Sequence, residues 1–119
     1  MEAFVKRSLL YDFYGELLTE HQKQIYEGIV IHDFSVSEIA RDAGISRQGV
    51  HDLVKRCDRA LEEYEKQLHL VEKFLGIRRD VERIMKLAEE GLDGLTQEDR
   101  TGNLFRQIRE TAADIREEL

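Results

Sequence analysis

Several residue types that mark secreted, cross-linked or membrane proteins are scarce in this chain of 119 residues. It has no proline and no tryptophan, and its single cysteine, Cys57, excludes an intrachain disulfide. No apolar run approaches the roughly 20 residues of a transmembrane helix, and no apolar signal region opens the N-terminus. These absences predict a cytoplasmic protein. Cys57 is expected to be a small buried hydrophobe, with a reactive thiol as the alternative.

Patterns typical of catalysis, metal binding and nucleotide binding are also missing from the sequence. The glycines at positions 91 and 94 lack the lysine and hydroxyl residue of a phosphate-binding loop. One cysteine cannot build a zinc knuckle, and the histidines are dispersed without metal-ligand spacing. They are His21, His32, His51 and His69. We therefore expect no enzymatic activity, no catalytic residues, no metal site and no cofactor.

The residues that are abundant favour helices. Charged residues make up 36% of the chain, hydrophobic residues make up 41%, and there are only eight glycines. Leu, Glu, Lys and Arg dominate, which suits long helices rather than sheets, and a chain of this length can bury one core of useful size. The composition predicts an all-α protein.

The segment from Ser35 to Arg56 fits a helix-turn-helix at nearly every position. Ser35 can cap a short helix, and Glu38, three residues on, can complete a reciprocal capping box. Gly44 can adopt the left-handed conformation that ends this helix and turns the chain. Ser46 can cap a second helix, whose inward residues recur at helical spacing. They are Val50, Leu53, Val54 and Cys57.

Close packing between these two helices is expected to join Ile39 and Leu53 at the centre of the motif, beside the small Ala40. The opposite face of the second helix is polar, as in a recognition helix that meets base edges and phosphates. A purely structural pair of helices remains the alternative. The candidate nucleic-acid-binding residues are Arg41, Ser46, Arg47, Gln48, His51, Lys55 and Arg56.

Charge is distributed unevenly along the chain. The formal net charge of −7 opposes binding to a polyanion. Residues 41–59, however, carry a local charge of +2, so the remainder carries −9. The sequence therefore predicts a basic face on an acidic body, and the acidic body could itself contact a basic protein.

Helical periodicity continues on both sides of the motif. A helix from Ala3 to Leu18 would place Leu10, Phe13, Tyr14, Leu17 and Leu18 on one face. Thr19 and Gln22 form a second capping-box pattern that opens the next helix. The helix begun at Ser46 keeps its apolar spacing until Gly76, roughly 30 residues in all. Shorter helices should follow around residues 81–88 and 104–115, separated by a turn at 91–94.

These elements predict two segments. Residues 1–76 would form the helix-turn-helix core with its long helix, without a winged element, and residues 77–119 a C-terminal helical extension that packs on the same domain. The apolar stripe of so long a helix must be covered by another surface. Either it joins a bundle within one chain, or it forms a homodimer with Tyr64, Leu68 and Val71 at the seam.

Seven short segments carry a resemblance to a known family: 10–14 (LYDFY), 17–19 (LLT), 37–40 (SEIA), 46–48 (SRQ), 50–52 (VHD), 55–56 (KR) and 61–66 (LEEYEK). On these residues the chain resembles the YlxM family of small bacterial helix-turn-helix proteins. The match covers roughly residues 9–75, with no specific resemblance beyond Gly76. One position departs from the family's pattern, because Gly49 stands where the family usually has alanine. Glycine inside a helix costs about 0.5 to 1 kcal/mol relative to alanine.

The resemblance implies a helix-turn-helix like the promoter-reading fourth region of sigma factors, without catalysis. Genes of this family typically neighbour those of the signal recognition particle GTPase and its receptor. That implies either regulation of those genes or an accessory role in the particle, with DNA, particle RNA or particle proteins as partners and no membrane contact. A generic DNA-binding transcriptional regulator unrelated to protein targeting is the alternative.

Overall fold

The computed structural model describes residues 2–94 and 100–119, and within these ranges every regular element is helical, which confirms the all-α class. A 3-10 turn, Gly15–Leu17, and a π-helical turn, Glu27–Ile31, follow the first two helices. The six α-helices of the described ranges are α1 (Ala3–Tyr14), α2 (Glu20–Tyr26), α3 (Val36–Ala43), α4 (Arg47–Leu68), α5 (Leu70–Asp93) and α6 (Arg100–Glu118).

Two compact units divide the chain, Met1–Val71 and Glu72–Leu119. The first holds α1 to α4, and the second holds most of α5 together with α6. The expected packing of residues 77–119 on the N-terminal core stays a prediction.

In the first unit α4 is the central element, because α1, α2 and α3 all pack against it. Its buried positions follow a spacing of four, three and four residues, which places them on one helix face. They are Val50, Val54, Cys57 and Leu61, and none is more than 8% exposed. Ile39 and Leu53 are only half-buried, so the expectation that they form the centre of the motif is wrong. Ala40 of α3 and Val50 of α4, by contrast, are buried.

Helix α1 buries a narrower face than its sequence predicts. Leu10, Tyr14 and Leu18 are buried, whereas Phe13 is 37% and Leu17 is 57% exposed. The chain tightens into the 3-10 turn after Tyr14, so the apolar positions no longer share one α-helical face. The capping box of Thr19 and Gln22 is confirmed, with both reciprocal hydrogen bonds present.

The long helix predicted from Ser46 to Gly76 is interrupted earlier. It ends at Leu68, His69 adopts a left-handed conformation with φ of 57°, and α5 then runs through Gly76 without a break. The helix expected at 81–88 is therefore part of α5, which also continues past Gly91.

A tertiary contact explains the position of this break. The Leu70 amide donates to the Tyr14 hydroxyl over 3.1 Å, and the Val71 amide donates to Glu65 Oε1 over 2.9 Å. The Tyr14 hydroxyl donates in turn to the same Glu65 oxygen. Side chains of α1 and α4 thus satisfy the first amides of α5, which are donors that a new helix leaves without an internal partner. We call this group the Tyr14–Glu65 clamp.

Candidate nucleic-acid interface

The turn of the helix-turn-helix has the geometry that its sequence predicts. Gly44 adopts φ of 70°, the left-handed conformation that glycine reaches without a Cβ penalty. The Ile45 amide bonds to Ala40 O over 3.0 Å and the Gly44 amide bonds to Arg41 O over 3.3 Å, which together form a Schellman motif. Only three residues, 44–46, separate α3 from α4. The two helices are therefore held in a fixed relation.

Hydroxyl side chains cap both helices of the motif. Ser35 Oγ accepts from the Glu38 amide over 3.1 Å, which is one half of the predicted box. Ser46 Oγ accepts from the Gly49 amide over 3.0 Å. Ser46 was predicted to bind nucleic acid, and its hydroxyl is already used to hold the first turn of α4.

The predicted site residues share an exposed surface around the turn and the first half of α4. Arg41 lies in the last turn of α3, and the others lie on or directly before α4. All seven are exposed: Arg41, Ser46, Arg47, Gln48, His51, Lys55 and Arg56. Arg59 is also exposed and follows Lys55 by about one turn, so it extends the same face, although sequence reasoning did not assign it to the site.

The basic side chains of this face are available for a ligand. Among the described residues, none of Arg41, Arg47, Lys55 and Arg56 has a side-chain hydrogen bond or an ion pair. Cations that have no internal partner can neutralise phosphates without first breaking a bond.

One acidic residue of the basic segment is held away from this face. Arg7 of α1 donates to Asp58 through Nε over 3.2 Å and through Nη2 over 3.0 Å. Tyr26 donates to Asp58 Oδ1 as well, and the Arg7 guanidinium lies over the Tyr26 ring. Because Arg7 balances the Asp58 charge, the local potential of residues 41–59 is more positive than their net charge of +2 suggests.

Two polar side chains of the face hold each other. Gln48 Nε2 donates to Asp52 Oδ1 over 3.0 Å, one helical turn apart. This bond leaves the Gln48 carbonyl oxygen available, whereas a bidentate contact to adenine would require the amide to leave Asp52. The helical spacing places Asp52 on the outward face of α4, although it was not among the predicted site residues, and its bond to Gln48 has the (i, i+4) spacing of helix side-chain pairs.

A groove lies beside α4 in the same unit. It has a volume of about 480 Å³ and joins the start of α2 to the recognition face. No sequence pattern predicts this groove, because α2 and α4 meet only in the folded chain. Its lining residues are Thr19, His21, Gln22, Ile45, Gly49, Asp52, Leu53 and Arg56.

Cys57 lies on the opposite side of α4 and is fully buried, as expected of a small hydrophobe. Burial and the nearby Asp58 raise the pKa of its thiol to about 11. A protonated, inaccessible thiol is a poor nucleophile.

Within residues 2–94 and 100–119, no cluster of His, Cys, Asp or Glu could hold a metal ion. None of the helices in these ranges combines the length and the apolar character needed to cross a membrane.

Comparison with known sequences agrees with the motif. A sequence model of the UPF0122 family, described as "Putative helix-turn-helix protein, YlxM / p13 like", matches residues 1–100. The chain belongs to this family. A UPF0122 protein of Thermoanaerobacter sp. (strain X514) is 38% identical over 116 residues, covering 98% of this chain and 96% of its own length.

Two further relatives support the assignment. A UPF0122 protein of Caldanaerobacter subterraneus is 45% identical over 83 residues, or 70% of this chain and 71% of its own. One of Desulforamulus reducens is 34% identical over 117 residues, 97% of this chain and its entire length. The similarity therefore continues well past Gly76, where the expected resemblance ended, and includes α5 and α6.

Proposed function

We propose that this UPF0122 protein is a non-catalytic nucleic-acid-binding protein that uses the exposed face of α4 as a recognition helix. The observation that carries the proposal is a helix-turn-helix with intact caps and turn whose outward cations have no partner among the described residues. An α-helix with its side chains is about 10 to 12 Å across, which fits a major groove about 12 Å wide, and from Arg47 to Arg59 this face extends about 18 Å at 1.5 Å per residue.

The residues divide by their role in binding. Arg47, Gln48 and His51 lie in the first turns of α4, the part of a recognition helix that contacts base edges. Arg41, Lys55 and Arg56 flank them and would contact phosphates, which fix the register of the protein without reading sequence. Four or five cations on a chain of net charge −7 predict modest affinity that decreases with salt.

Within this function we propose a role in the signal recognition particle pathway, either as a regulator of the GTPase and receptor genes or as an accessory factor on particle RNA. The proposal follows from the resemblance to the YlxM family. The charge of −9 outside residues 41–59 supports it, because an acidic body can contact a basic GTPase while the α4 face binds RNA. The second candidate is a DNA-binding regulator unrelated to protein targeting.

A titration at fixed salt tests the proposal and separates these roles. The full chain is added to labelled duplex DNA of random sequence and to labelled particle RNA, and binding is followed by fluorescence anisotropy. Tighter binding to the RNA supports the accessory role, whereas tighter binding to the duplex supports the regulator. If the chain binds neither nucleic acid, the proposal is wrong.

Reversing two charges tests whether the α4 face carries the binding. We expect Arg47→Glu with Lys55→Glu to weaken binding by at least about tenfold, because two attractive contacts become repulsive. The matched control is Lys6→Glu with Lys66→Glu, which reverses two exposed lysines and gives the same net charge. Equal losses in both variants, with unchanged helical content, would mean that only the total charge matters.

A further inference from the structure

The second unit, Glu72–Leu119, buries very little of its apolar surface. Among its described residues the buried apolar side chains are Val81, Ala88 and Ala112, two of which are alanines. Its exposed large apolar side chains are Ile77, Ile84, Leu87, Leu104, Ile108, Ile115 and Leu119. Two helices with so small a core gain little from burial, because hydrophobic stabilisation scales with the apolar area removed from water.

The exposed apolar side chains of this unit are organised into a groove rather than scattered. α5 and α6 approach closely at Gly91, where an added Cβ would lie 2.6 Å from Phe105 Cζ. Beside this contact lies a groove of about 500 Å³. Its lining residues are Ile84, Leu104, Gln107, Ile108, Thr111, Ala112 and Ile115. Exposed apolar surface of this kind, rimmed by polar residues, marks an interaction site.

The spacing along α6 matches a helix–helix seam. Leu104, Ile108, Thr111 and Ile115 are separated by four, three and four residues, the pattern of a helix that packs along another helix. The short Thr111 in the middle of this stripe permits close approach of a second backbone. The occupant best fitted to the groove is therefore another amphipathic helix.

The charges of α6 identify which helix. Residues 101–109 contain Arg106 and Arg109 and no acidic residue, whereas residues 110–118 contain four acidic residues and only Arg116 as a base. Two copies of α6 that pair antiparallel would place each positive half against a negative half. A parallel pair would place like charges together. Helices in contact lie within a Debye length of about 10 Å, so these charges influence one another.

We infer that the groove on α5 and α6 is a homodimer interface, in which two copies of the chain pair their α6 helices antiparallel about a two-fold axis near Ile108 and Thr111. The same patch then faces itself, as a two-fold interface requires. This interface differs from the one predicted along α4. Of the three residues predicted at that seam, Val71 is buried, Tyr64 lies against Tyr14 within one chain, and Leu68 is 47% exposed, so two of the three are already in contact within the chain.

Sedimentation velocity of the full chain over a range of micromolar concentrations tests this interface. We expect a concentration-dependent dimer, and we expect Leu104→Glu to raise its dissociation constant by more than about tenfold by placing a charge in the apolar seam. Leu17→Glu is the matched control, because Leu17 is 57% and Leu104 is 59% exposed and Leu17 does not line the groove. Since both side chains are largely exposed, both variants should fold, which circular dichroism can verify.

Charge-swapped variants test the antiparallel arrangement separately. Arg106→Glu with Arg109→Glu changes the charge of residues 101–109 from +2 to −2, and Asp114→Lys with Glu118→Lys changes that of residues 110–118 from −3 to +1. In an antiparallel pair either change places like charges face to face, so each variant should dimerise more weakly than the parent. In a parallel pair like halves already face each other, so the first change would leave dimerisation unaltered and the second would strengthen it. Either of those results would overturn the antiparallel arrangement. A parent chain that stays monomeric, or a dimer that Leu104→Glu leaves intact, would overturn the interface itself.

Discussion

Two glycines of the helix-turn-helix have opposite roles. Gly44 adopts positive φ, and an added Cβ would meet nothing within 4 Å, so alanine there is disfavoured by the backbone alone. Gly49 lies inside α4 without positive φ, and its added Cβ would approach Ser46 Oγ at 3.2 Å. The departure at Gly49 from the family's usual alanine therefore does not reflect a special backbone conformation.

These positions give a paired prediction. Gly44→Ala should destabilise the protein by about 1 to 2 kcal/mol, the cost of a left-handed conformation for an L-residue. Gly49→Ala should stabilise it by about 0.4 to 1 kcal/mol, because the unfolded chain loses freedom that glycine retains. Urea denaturation measures the free energy of unfolding of both variants. A destabilised Gly49→Ala variant would show that the Ser46 cap cannot yield the few tenths of an ångström that the methyl group requires.

At the scale of the elements, the Tyr14–Glu65 clamp decides where α4 ends. The apolar spacing continues across residues 61–75, so periodicity alone predicts an unbroken helix. The clamp instead supplies acceptors for the Leu70 and Val71 amides, and a new helix can begin there without losing hydrogen bonds. Tertiary contacts thus replace one long helix by two.

Removal of one hydroxyl tests the clamp. Tyr14→Phe leaves the Leu70 amide without its acceptor in a part-buried site, which should cost about 1 to 3 kcal/mol and speed amide hydrogen exchange at Leu70 and Val71. Tyr64→Phe is the matched control, since its ring lies 6.0 Å from that of Tyr14 and its hydroxyl makes no hydrogen bond within the described chain. Equal protection of Leu70 in the parent and in Tyr14→Phe would show that the amide does not depend on the clamp.

At the scale of the whole molecule, three neutral tyrosine hydroxyls connect α1 and α2 to acidic partners. Burial raises the pKa of Tyr11, Tyr14 and Tyr26 above the ordinary value, and their hydrogen bonds to Glu27, Glu65 and Asp58 raise each pKa further. The folded state therefore favours the protonated hydroxyls more than the unfolded state does. Their contribution to stability is complete below a pH of about 10 and is lost as the pH rises above it.

Because ionisation of these hydroxyls is coupled to unfolding, we expect the protein to lose stability at alkaline pH. We expect the urea midpoint to be nearly constant between about pH 7 and pH 8 and to decrease steeply above about pH 10. Cys57 acts in the same direction but from a lower pH, because its pKa is raised from 9.0 to about 11, so a shallower decrease should begin near pH 9. Tyr26→Phe should flatten the decrease, because the variant has one buried proton fewer to lose. A midpoint independent of pH through that range would contradict the buried, neutral state of these hydroxyls.

Local chemistry allowed much of the fold to be predicted. The caps at Thr19, Ser35 and Ser46 and the left-handed Gly44 each depend on one or two neighbouring residues, so the sequence was sufficient to locate them. The exposure of the basic candidate residues could also be predicted, because the buried face of α4 leaves them on the outside.

Contacts between residues far apart in sequence decided the remainder. Arg7 and Asp58 are 51 positions apart, yet their pairing changes the local charge of the recognition face. Tyr14 reaches Leu70 over 56 positions and ends the helix that periodicity would have continued. The groove between α5 and α6 likewise requires two helices to meet. Hydrophobic spacing determines that a helix has a buried face, but which partner covers that face depends on packing across the whole chain.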